Sequence, residues 1–270
     1  MSENHDSQDS TLLHVDQLTL EFGGLRALEN LSFQVQSQEI LALIGPNGAG
    51  KTTCFECIMG FLPPKLGKIH LYPPHHQTQR LNDLKPYQIA QLGVARTFQS
   101  IRLYEKQSVL ENVMVGRQIR TKTSTLGALL RDRRTQAEEQ QIREDSFQLL
   151  QRMELEQYAQ VTADSIPYAA QRRLEIARAL ATDPFLLLLD EPAAGMNRQE
   201  TEELDELLVE LREEFLLTIL LIEHDMQLVM KISDRIIVLD HGRKIAEGPP
   251  QQIRQHPEVI RAYLGEQAIS

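Results

Sequence analysis

Residues 40–53 read ILALIGPNGAGKTT, and this stretch decides the fold. The first five residues, Ile40–Ile44, form a continuous apolar run of strand length, which is typical of a parallel strand buried on both faces. The residues that follow fit the pattern G-x-x-x-x-G-K-[ST], in which glycines let successive backbone N–H groups point at phosphate oxygens. A helix-compatible stretch at 52–61 comes next, and its N-terminus would add the positive end of a helix dipole. The sequence therefore predicts a phosphate-binding loop between a buried strand and a helix.

Within this loop, Lys51 would supply a positive charge for the β- and γ-phosphates, and the Thr52 hydroxyl would ligate Mg²⁺. The alternative is a glycine-rich turn with an incidental lysine, which would not explain why the loop joins a buried strand to a helix. The residues predicted to contact the nucleotide are Gly45, Pro46, Asn47, Gly48, Ala49, Gly50, Lys51, Thr52 and Thr53.

Two adjacent carboxylates follow a second apolar run, at 185–189. A phosphate-binding loop needs a carboxylate for the metal and a group that orients water. We expect Asp190, at the end of the strand, to hold Mg²⁺, and Glu191 to act as the general base. The simpler interpretation of Asp190 is a hydrogen-bonded residue at a strand end, but it explains Glu191 less well.

The remaining pattern predicts an α/β core with a mainly parallel sheet. Strands are expected at 12–22, 31–35 and 219–222, and an amphipathic helix at 200–215. A helical subdomain is expected at about 100–178. Residues 236–246 have the pattern of a hairpin. We expect a disordered tail at 1–10, the main domain at 11–250 and a helical tail at 251–270.

Composition excludes several classes of function. The chain has 270 residues and a formal net charge of −10, which argues against general binding of nucleic acid or anionic lipid. Its apolar runs are far shorter than the roughly 20 residues of a membrane span, and its first ten residues lack a secretory signal. The two cysteines, Cys54 and Cys57, are expected at buried helix positions of a reduced, cytosolic protein rather than in a metal or redox site.

The sequence resembles the nucleotide-binding domains of ABC transporters from about residue 12 to residue 265. The resemblance implies an α/β P-loop NTPase core of the RecA-like type, with an antiparallel β subdomain and an inserted helical subdomain. It also implies that Phe22 stacks on adenine, that Gln99 contacts Mg²⁺ and water, and that His224 contacts the γ-phosphate. The implied metal ligands are Thr52, Gln99 and Asp190.

Four segments, at 93–99, 190–197, 222–226 and 259–266, resemble the branched-chain amino acid importer ATPases of the LivG type. Importers of urea or short amides and the lipopolysaccharide-export ATPase share parts of this pattern. The resemblance implies that ATP and Mg²⁺ are bound. The implied partners are transmembrane permease subunits, a second related ATPase and, indirectly, a solute-binding protein. The implied location is the cytoplasmic face of the inner membrane, as a peripheral protein.

The chain departs from the family at the signature motif, commonly Leu-Ser-Gly-Gly-Gln, which grips the nucleotide of the opposite subunit. The aligned residues here are Ile166-Pro167-Tyr168-Ala169-Ala170. Pro167 has neither a hydroxyl nor an N–H, and Ala169 adds a methyl group where backbone should approach phosphate. We therefore expect a heterodimer with one competent and one weakened site. The alternative is that Tyr168 and the helix N-terminus suffice. Asn197, where many relatives have Asp, is a milder departure.

Two other functions remain as alternatives. A soluble ABC ATPase acting on ribosomes or DNA would usually carry two cassettes or basic surface, and this chain has neither. A nucleotide-dependent regulator with little hydrolysis is suggested only by the altered signature motif. For the transporter subunit, we expect the permease to dock at residues 100–116, including Tyr104 and Glu111-Asn112-Val113, although ordinary packing is equally possible there. His75-His76 is expected to be a loop rather than a metal site.

Overall fold

The computed structural model describes residues 11–74, 76–118 and 133–267. The tail predicted for 1–10, His75, the first two residues of the charged stretch that begins at 131, and the last three residues lie outside the described residues. Within the described ranges, no helix is both long and apolar enough to cross a membrane.

The strands are β1 Thr11–Phe22, β2 Leu25–Gln36, β3 Ile40–Ile44, β4 Leu66–Leu71, β5 Gln79–Arg80, β6 Val94–Arg96, β7 Leu186–Asp190, β8 Thr218–Ile222, β9 Arg235–Asp240 and β10 Arg243–Gly248. The helices are α1 Lys51–Ile58, α2 Pro86–Gln91, α3 Val109–Arg117, α4 Arg133–Arg152, α5 Tyr168–Leu180, α6 Arg198–Phe215, α7 Met226–Ile232, α8 Pro250–Arg254 and α9 Pro257–Gln267.

A six-stranded sheet of order β10-β9-β3-β8-β7-β6 forms the core. Its strands from β9 to β6 are parallel, and β10 pairs antiparallel with β9. A second, antiparallel sheet of order β2-β1-β4-β5 packs beside it. The predicted α/β P-loop NTPase fold, with its antiparallel β subdomain, is confirmed.

The central strands are buried on both faces because their side chains alternate between two cores. In β7, Leu187 and Leu189 pack with the helices α3, α5 and α6. Leu186 and Leu188 pack on the opposite face with α1 and the antiparallel sheet. This double burial explains why the strand sequence is a continuous apolar run rather than an alternating one.

The predicted elements agree with the structure except at their boundaries. Strand β3 has the expected bounds, and the hairpin of β9 and β10 is confirmed. Helix α1 starts one residue before the expected stretch and ends at Ile58, and Gly60 then takes a φ of +72° that a helix cannot continue through. Cys54 and Cys57 are buried free thiols on α1, as expected, and burial raises the pKa of Cys57 to about 12.

Three helices, α3, α4 and α5, account for most of the described residues in the region where a helical subdomain was expected. They pack on one another, and α3 crosses α5 closely at Gly116. The sequence reasoning missed β6, a strand of only three residues, because such a short strand leaves almost no periodic signal.

Candidate nucleotide-binding site

Four parallel strands of the central sheet end at the same edge, where the predicted site residues are gathered. Strand β3 leads into the phosphate loop, and β7 ends at Asp190 and is followed by Glu191. Strand β8 leads to His224, and β6 leads to Gln99. The carboxyl ends of parallel strands are where ligands bind in open α/β sheets. The fold therefore brings together residues that are far apart in the sequence.

The phosphate loop wraps around the ammonium group of Lys51. The Nζ atom donates hydrogen bonds to the carbonyl oxygens of Gly45 at 2.7 Å and Pro46 at 2.9 Å. Gly45 has a φ of +149°, and a Cβ there would lie 2.1 Å from the carbonyl oxygen of Leu239, so only glycine fits. The loop closes with the N–H of Ala49 bonded to the carbonyl of Pro46 at 3.1 Å. These contacts define the shape of the loop.

Glu191 has a φ of +51°, a left-handed conformation that is uncommon for a residue with a side chain. Both oxygens of its carboxylate are engaged: Oε2 accepts a hydrogen bond from Gln99 Nε2 at 2.9 Å, and Oε1 lies 2.9 Å from His224 Nε2. Strained backbone of this kind tends to occur at functional sites. The structure therefore brings the three predicted catalytic residues into one cluster.

Glu223 supports this cluster, and the sequence reasoning did not identify it. Its buried carboxylate accepts hydrogen bonds from the backbone N–H of Ala193 at 2.8 Å and of His224 at 3.0 Å. Burial raises the pKa of the Glu223 carboxyl. Because one carboxylate bonds to both segments, it fixes the turn after β7 against the residue that carries the imidazole. An acidic residue directly before His224 was the available signal.

Asp190 fits a metal ligand on the evidence of its two oxygens. The Oδ2 atom forms a buried ion pair with Arg96 Nη2 at 2.7 Å, whereas Oδ1 is buried and has no hydrogen-bond partner among the described residues. Burial raises the pKa of Asp190, and the hydrogen bond from Arg96 acts in the opposite direction. The unpartnered Oδ1 atom of Asp190 is suited to binding Mg²⁺, because this ion takes oxygen ligands. Gln99 contacts Glu191 instead, so its metal role stays a prediction.

A cavity of about 400 Å³ lies over the phosphate loop. Phe22 does not line it; this ring is 48% exposed at the tip of the β1–β2 hairpin. The adjacent wall consists of β2 residues, and His241 lines the cavity from the β9–β10 turn. The adenine contact predicted for Phe22 therefore stays a prediction. The β2 residues and His241 were not predicted from the sequence because no motif marks them. The lining residues are Leu25, Arg26, Ala27, Asn47, Gly48, Ala49, Gly50, Lys51, Thr52, Thr53, Gln99, Glu191, His224 and His241.

The altered signature motif lies at the start of α5. Pro167 is the N-cap residue and makes no side-chain capping bond, so the N-terminal N–H groups lack the usual hydroxyl or carboxylate partner. Pro167 and Tyr168 are exposed, and Ile166 is buried. The Tyr168 ring lies against Gly195, where an added Cβ would be 3.0 Å from the ring.

One turn further along α5, Arg172 ties the helix to the segment that carries Gln99. Its guanidinium donates to the carbonyl oxygens of Phe98 at 3.0 Å and Gln99 at 2.5 Å. It also donates to the Tyr168 hydroxyl at 3.2 Å. The side chain of Arg172 is only 4% exposed, so these contacts are internal to the chain.

The predicted docking segment divides into buried and exposed parts. Asn112 and Val113 are fully buried, and the Asn112 amide bonds to the backbone N–H of Tyr104 at 2.9 Å and to its carbonyl at 3.1 Å. Packing thus explains these two residues, as the alternative interpretation held. Tyr104 is half exposed, and Glu111 is exposed while forming a capping box with Ser108. The surface open to a partner is therefore smaller than the sequence segment.

Comparisons with known proteins support the interpretation of this cavity as a nucleotide-binding site. The sequence model of the ABC transporter family matches residues 28–194, and that of the branched-chain amino acid ATP-binding cassette transporter family matches residues 243–269. The chain therefore belongs to the ABC transporter family. It is 48% identical to the high-affinity branched-chain amino acid transport ATP-binding protein LivG of Escherichia coli strain K12, across 94% of this chain and 98% of that protein.

Two further relatives support the assignment. The chain is 43% identical to the high-affinity branched-chain amino acid transport ATP-binding protein BraF of Pseudomonas aeruginosa, across 94% of this chain and 98% of that protein. A solved ATP-binding cassette of an ABC transporter, in its ADP conformation, has a TM-score of 0.80 and 28% identity, covering 94% of this chain and 99% of that one. The chain is thus a LivG-like cassette, an ATPase subunit that binds adenine nucleotides and works with transmembrane subunits.

Proposed function

We propose that this chain hydrolyses Mg-ATP to energise import of branched-chain amino acids across the inner membrane, working at the cytoplasmic face. The similarity to LivG and BraF supports the solute class, since both are named for branched-chain amino acid transport. The observation that carries the hydrolytic function is the cluster of Gln99, Glu191 and His224 beside the phosphate loop.

The phosphate loop would bind the nucleotide through Lys51 and the loop backbone. The ammonium group of Lys51 bonds to two loop carbonyls, which hold it where it would meet the β- and γ-phosphate oxygens. Asn47, Gly48 and Gly50 line the cavity above the loop, so their backbone is available to a phosphate chain. Successive backbone N–H groups of such a loop form a concave site for an anion.

Thr52 and Asp190 would hold Mg²⁺, with Gln99 as a third protein ligand. When bound, the metal would neutralise charge on the β- and γ-phosphates. The exposed Thr52 lines the cavity, and the Oδ1 atom of Asp190 needs a partner. Among the described residues, no group of three or more His, Cys, Asp or Glu side chains is arranged to hold a metal ion. We propose that a hydroxyl and the nucleotide itself would complete the site.

Glu191 would accept the proton from the attacking water. Gln99 bonds to one oxygen of this carboxylate and His224 to the other. These two contacts would fix the orientation of the carboxylate toward the water. A base positioned in this way contributes roughly 10²–10⁴-fold to rate. His224 would then face the γ-phosphate. Gln99 would couple nucleotide binding to α5, because Arg172 of that helix bonds to the Gln99 carbonyl.

The chain would act in a heterodimer with a second, related ATPase. A nucleotide on this chain's phosphate loop would be covered by the partner's signature motif. In the other site, Pro167 and Tyr168 of this chain would cover the partner's nucleotide, without the usual hydroxyl or glycine N–H groups. Tyr104 and Glu111, the exposed residues of the predicted docking segment, would face the permease.

Reconstitution tests the solute and the direction of transport. The chain is purified with the membrane proteins that accompany it and placed in liposomes, and uptake of labelled leucine, isoleucine, valine, urea and acetamide is compared with and without ATP. We expect ATP-dependent uptake of the three amino acids. Uptake of urea or acetamide in their place would contradict the solute assignment, and ATP-driven export would contradict the direction.

A further inference from the structure

Arg96 is a buried arginine between the elements of the nucleotide site. It ends β6, and its side chain is 4% exposed. The guanidinium carbon lies 5.6 Å from the ring centroid of Phe55 on α1 and 5.1 Å from that of Phe98, the residue before Gln99. A planar guanidinium stacks well on aromatic faces, whereas an ammonium does not. The arginine therefore contacts both the helix after the phosphate loop and the Gln99 segment.

The same guanidinium engages only one oxygen of Asp190. Arg96 Nη2 is 2.7 Å from Asp190 Oδ2, while Asp190 Oδ1 and Arg96 Nε have no hydrogen-bond partner among the described residues. Thr97, the next residue, accepts a hydrogen bond from the backbone N–H of Asp190 at 3.3 Å. Together, Arg96 and Thr97 hold this aspartate from one side. The unused oxygen is the one that remains for a further ligand.

Stability does not account well for such a pair. Taking two charges out of water costs about as much free energy as their attraction returns, so a buried ion pair is weak evidence for a stabilising role. A full bidentate contact would use both carboxylate oxygens and would satisfy the site internally. The single contact seen here gives a defined orientation to Asp190 and leaves Oδ1 open. This arrangement suits a carboxylate that has to meet a cation.

We infer that Arg96 is a positioning residue, which orients Asp190 so that Oδ1 faces the metal of Mg-ATP and joins that carboxylate to the Gln99 segment through Phe98. The inference rests on the proposed role of Asp190 as a Mg²⁺ ligand. Groups that orient a metal ligand typically change metal affinity by about 10–100-fold when they are removed. Arg96 acts through Asp190, and it is not among the residues that line the cavity over the phosphate loop.

A Mg²⁺ titration of nucleotide binding tests this role without relying on turnover. Fluorescence of trinitrophenyl-ATP is measured on the full chain, first in EDTA and then with increasing Mg²⁺. For Arg96→Met we expect affinity in EDTA within about threefold of the wild type, because the phosphate loop is untouched. The Mg²⁺ concentration at half-effect should rise about tenfold. Arg96→Lys keeps the charge but not the planar stack, and it should give a smaller rise.

Arg102→Met is the matched control. Arg102 stacks on the same Phe98 ring, at 4.0 Å from its centroid, but it is exposed and does not pair with Asp190. Its substitution should leave the Mg²⁺ dependence unchanged. If Arg96→Met does not fold, Phe98→Leu removes one stacking face while Arg96 stays in place, and it should raise the Mg²⁺ requirement by a few-fold.

Two results separate the possible failures. An unchanged Mg²⁺ requirement in Arg96→Lys and Phe98→Leu, with Arg96→Met merely less stable, would overturn the positioning role. Asp190→Asn serves as the reference for the proposed metal site. If Asp190→Asn also leaves the Mg²⁺ requirement unchanged, the metal role of Asp190 itself is wrong, which is a failure of the proposed function rather than of the Arg96 argument alone.

Discussion

The phosphate loop and the start of α5 would both face nucleotide in the proposed dimer, but they differ in what they offer it. The loop is closely fitted: Gly45 lies too near Leu239 for any side chain, and Lys51 is bound by two carbonyls. The start of α5 presents Pro167 and Tyr168, and Pro167 makes no side-chain cap. The loop has the geometry of a phosphate site, whereas the start of α5 lacks the hydroxyl and the glycines of the usual signature motif.

The difference does not extend along the whole helix. Arg172, on the same α5, is buried and bonded to the carbonyls of Phe98 and Gln99. The helix thus has a well-defined connection inside its own chain, and its N-terminal end has no side-chain cap. We therefore propose that α5 keeps its contact with the Gln99 segment while binding a partner's nucleotide weakly.

The largest expected effect concerns the loop side of this comparison. Glu191→Gln should lower the rate of ATP hydrolysis by about 100-fold or more, because the amide cannot accept the proton from water. Binding of trinitrophenyl-ATP should persist. Phosphate release by the purified complex is the measurement, with Glu213→Gln, an exposed glutamate on α6, as the control. A wild-type rate no higher than that of Glu191→Gln would favour the regulator instead.

The next largest effect concerns the start of α5. Pro167→Ser with Ala169→Gly would return a hydroxyl and a freer backbone to the start of α5. Donors aimed at developing charge contribute about 10²–10³-fold in well-built sites, so a partial repair should raise turnover at the partner's loop by about tenfold. This turnover is measured in complexes that carry Lys51→Ala. An unchanged rate would show that the native start of α5 suffices, and the contrast would then lose its functional meaning.

A smaller effect tests whether the Tyr168 ring packs against Gly195 of its own chain. Gly195 has a φ of +81° and lies against the Tyr168 ring. Gly195→Ala should lower the free energy of unfolding by about 1–2 kcal/mol, from left-handed backbone strain, and by more if the ring cannot yield. Adding Tyr168→Ala should recover the part caused by the ring. Denaturant unfolding of the wild type, the two single variants and the double variant gives the coupling energy. Zero coupling would mean that the Tyr168 ring does not pack against Gly195.

The smallest effect concerns Asn197. Its side chain caps α6 by accepting the N–H of Glu200 at 3.0 Å, and Glu200 Oε2 accepts the N–H of Asn197 at 2.9 Å. Asn197→Ala should therefore cost about 1 kcal/mol of stability. Asn197→Asp should change stability by less than about 0.5 kcal/mol, because aspartate caps equally well. Thermal unfolding checks both. Equal losses for the two variants would show that the cap does not explain this residue.

The sequence was sufficient to predict the parts of the site that are continuous with a strand. The phosphate loop follows β3 directly, and Asp190 ends β7 with Glu191 next in the chain, so a local pattern identifies them. The ion pair between Arg96 and Asp190 joins residues 94 positions apart, and no local pattern encodes it. The left-handed backbone of Glu191 is equally hidden, since no local pattern in the sequence marks it. Contacts between residues that are distant in the sequence become visible only in the folded structure.

The most direct test of the asymmetry is a pair of substitutions in the heterodimer with the second ATPase. Lys51→Ala in this chain removes the charge from the site that is expected to be competent, and the equivalent lysine substitution in the partner removes it from the site covered by Pro167 and Tyr168. ATP turnover is measured for each complex. We predict that Lys51→Ala abolishes most turnover and that the partner's substitution leaves most of it. Equal losses from the two substitutions would contradict it.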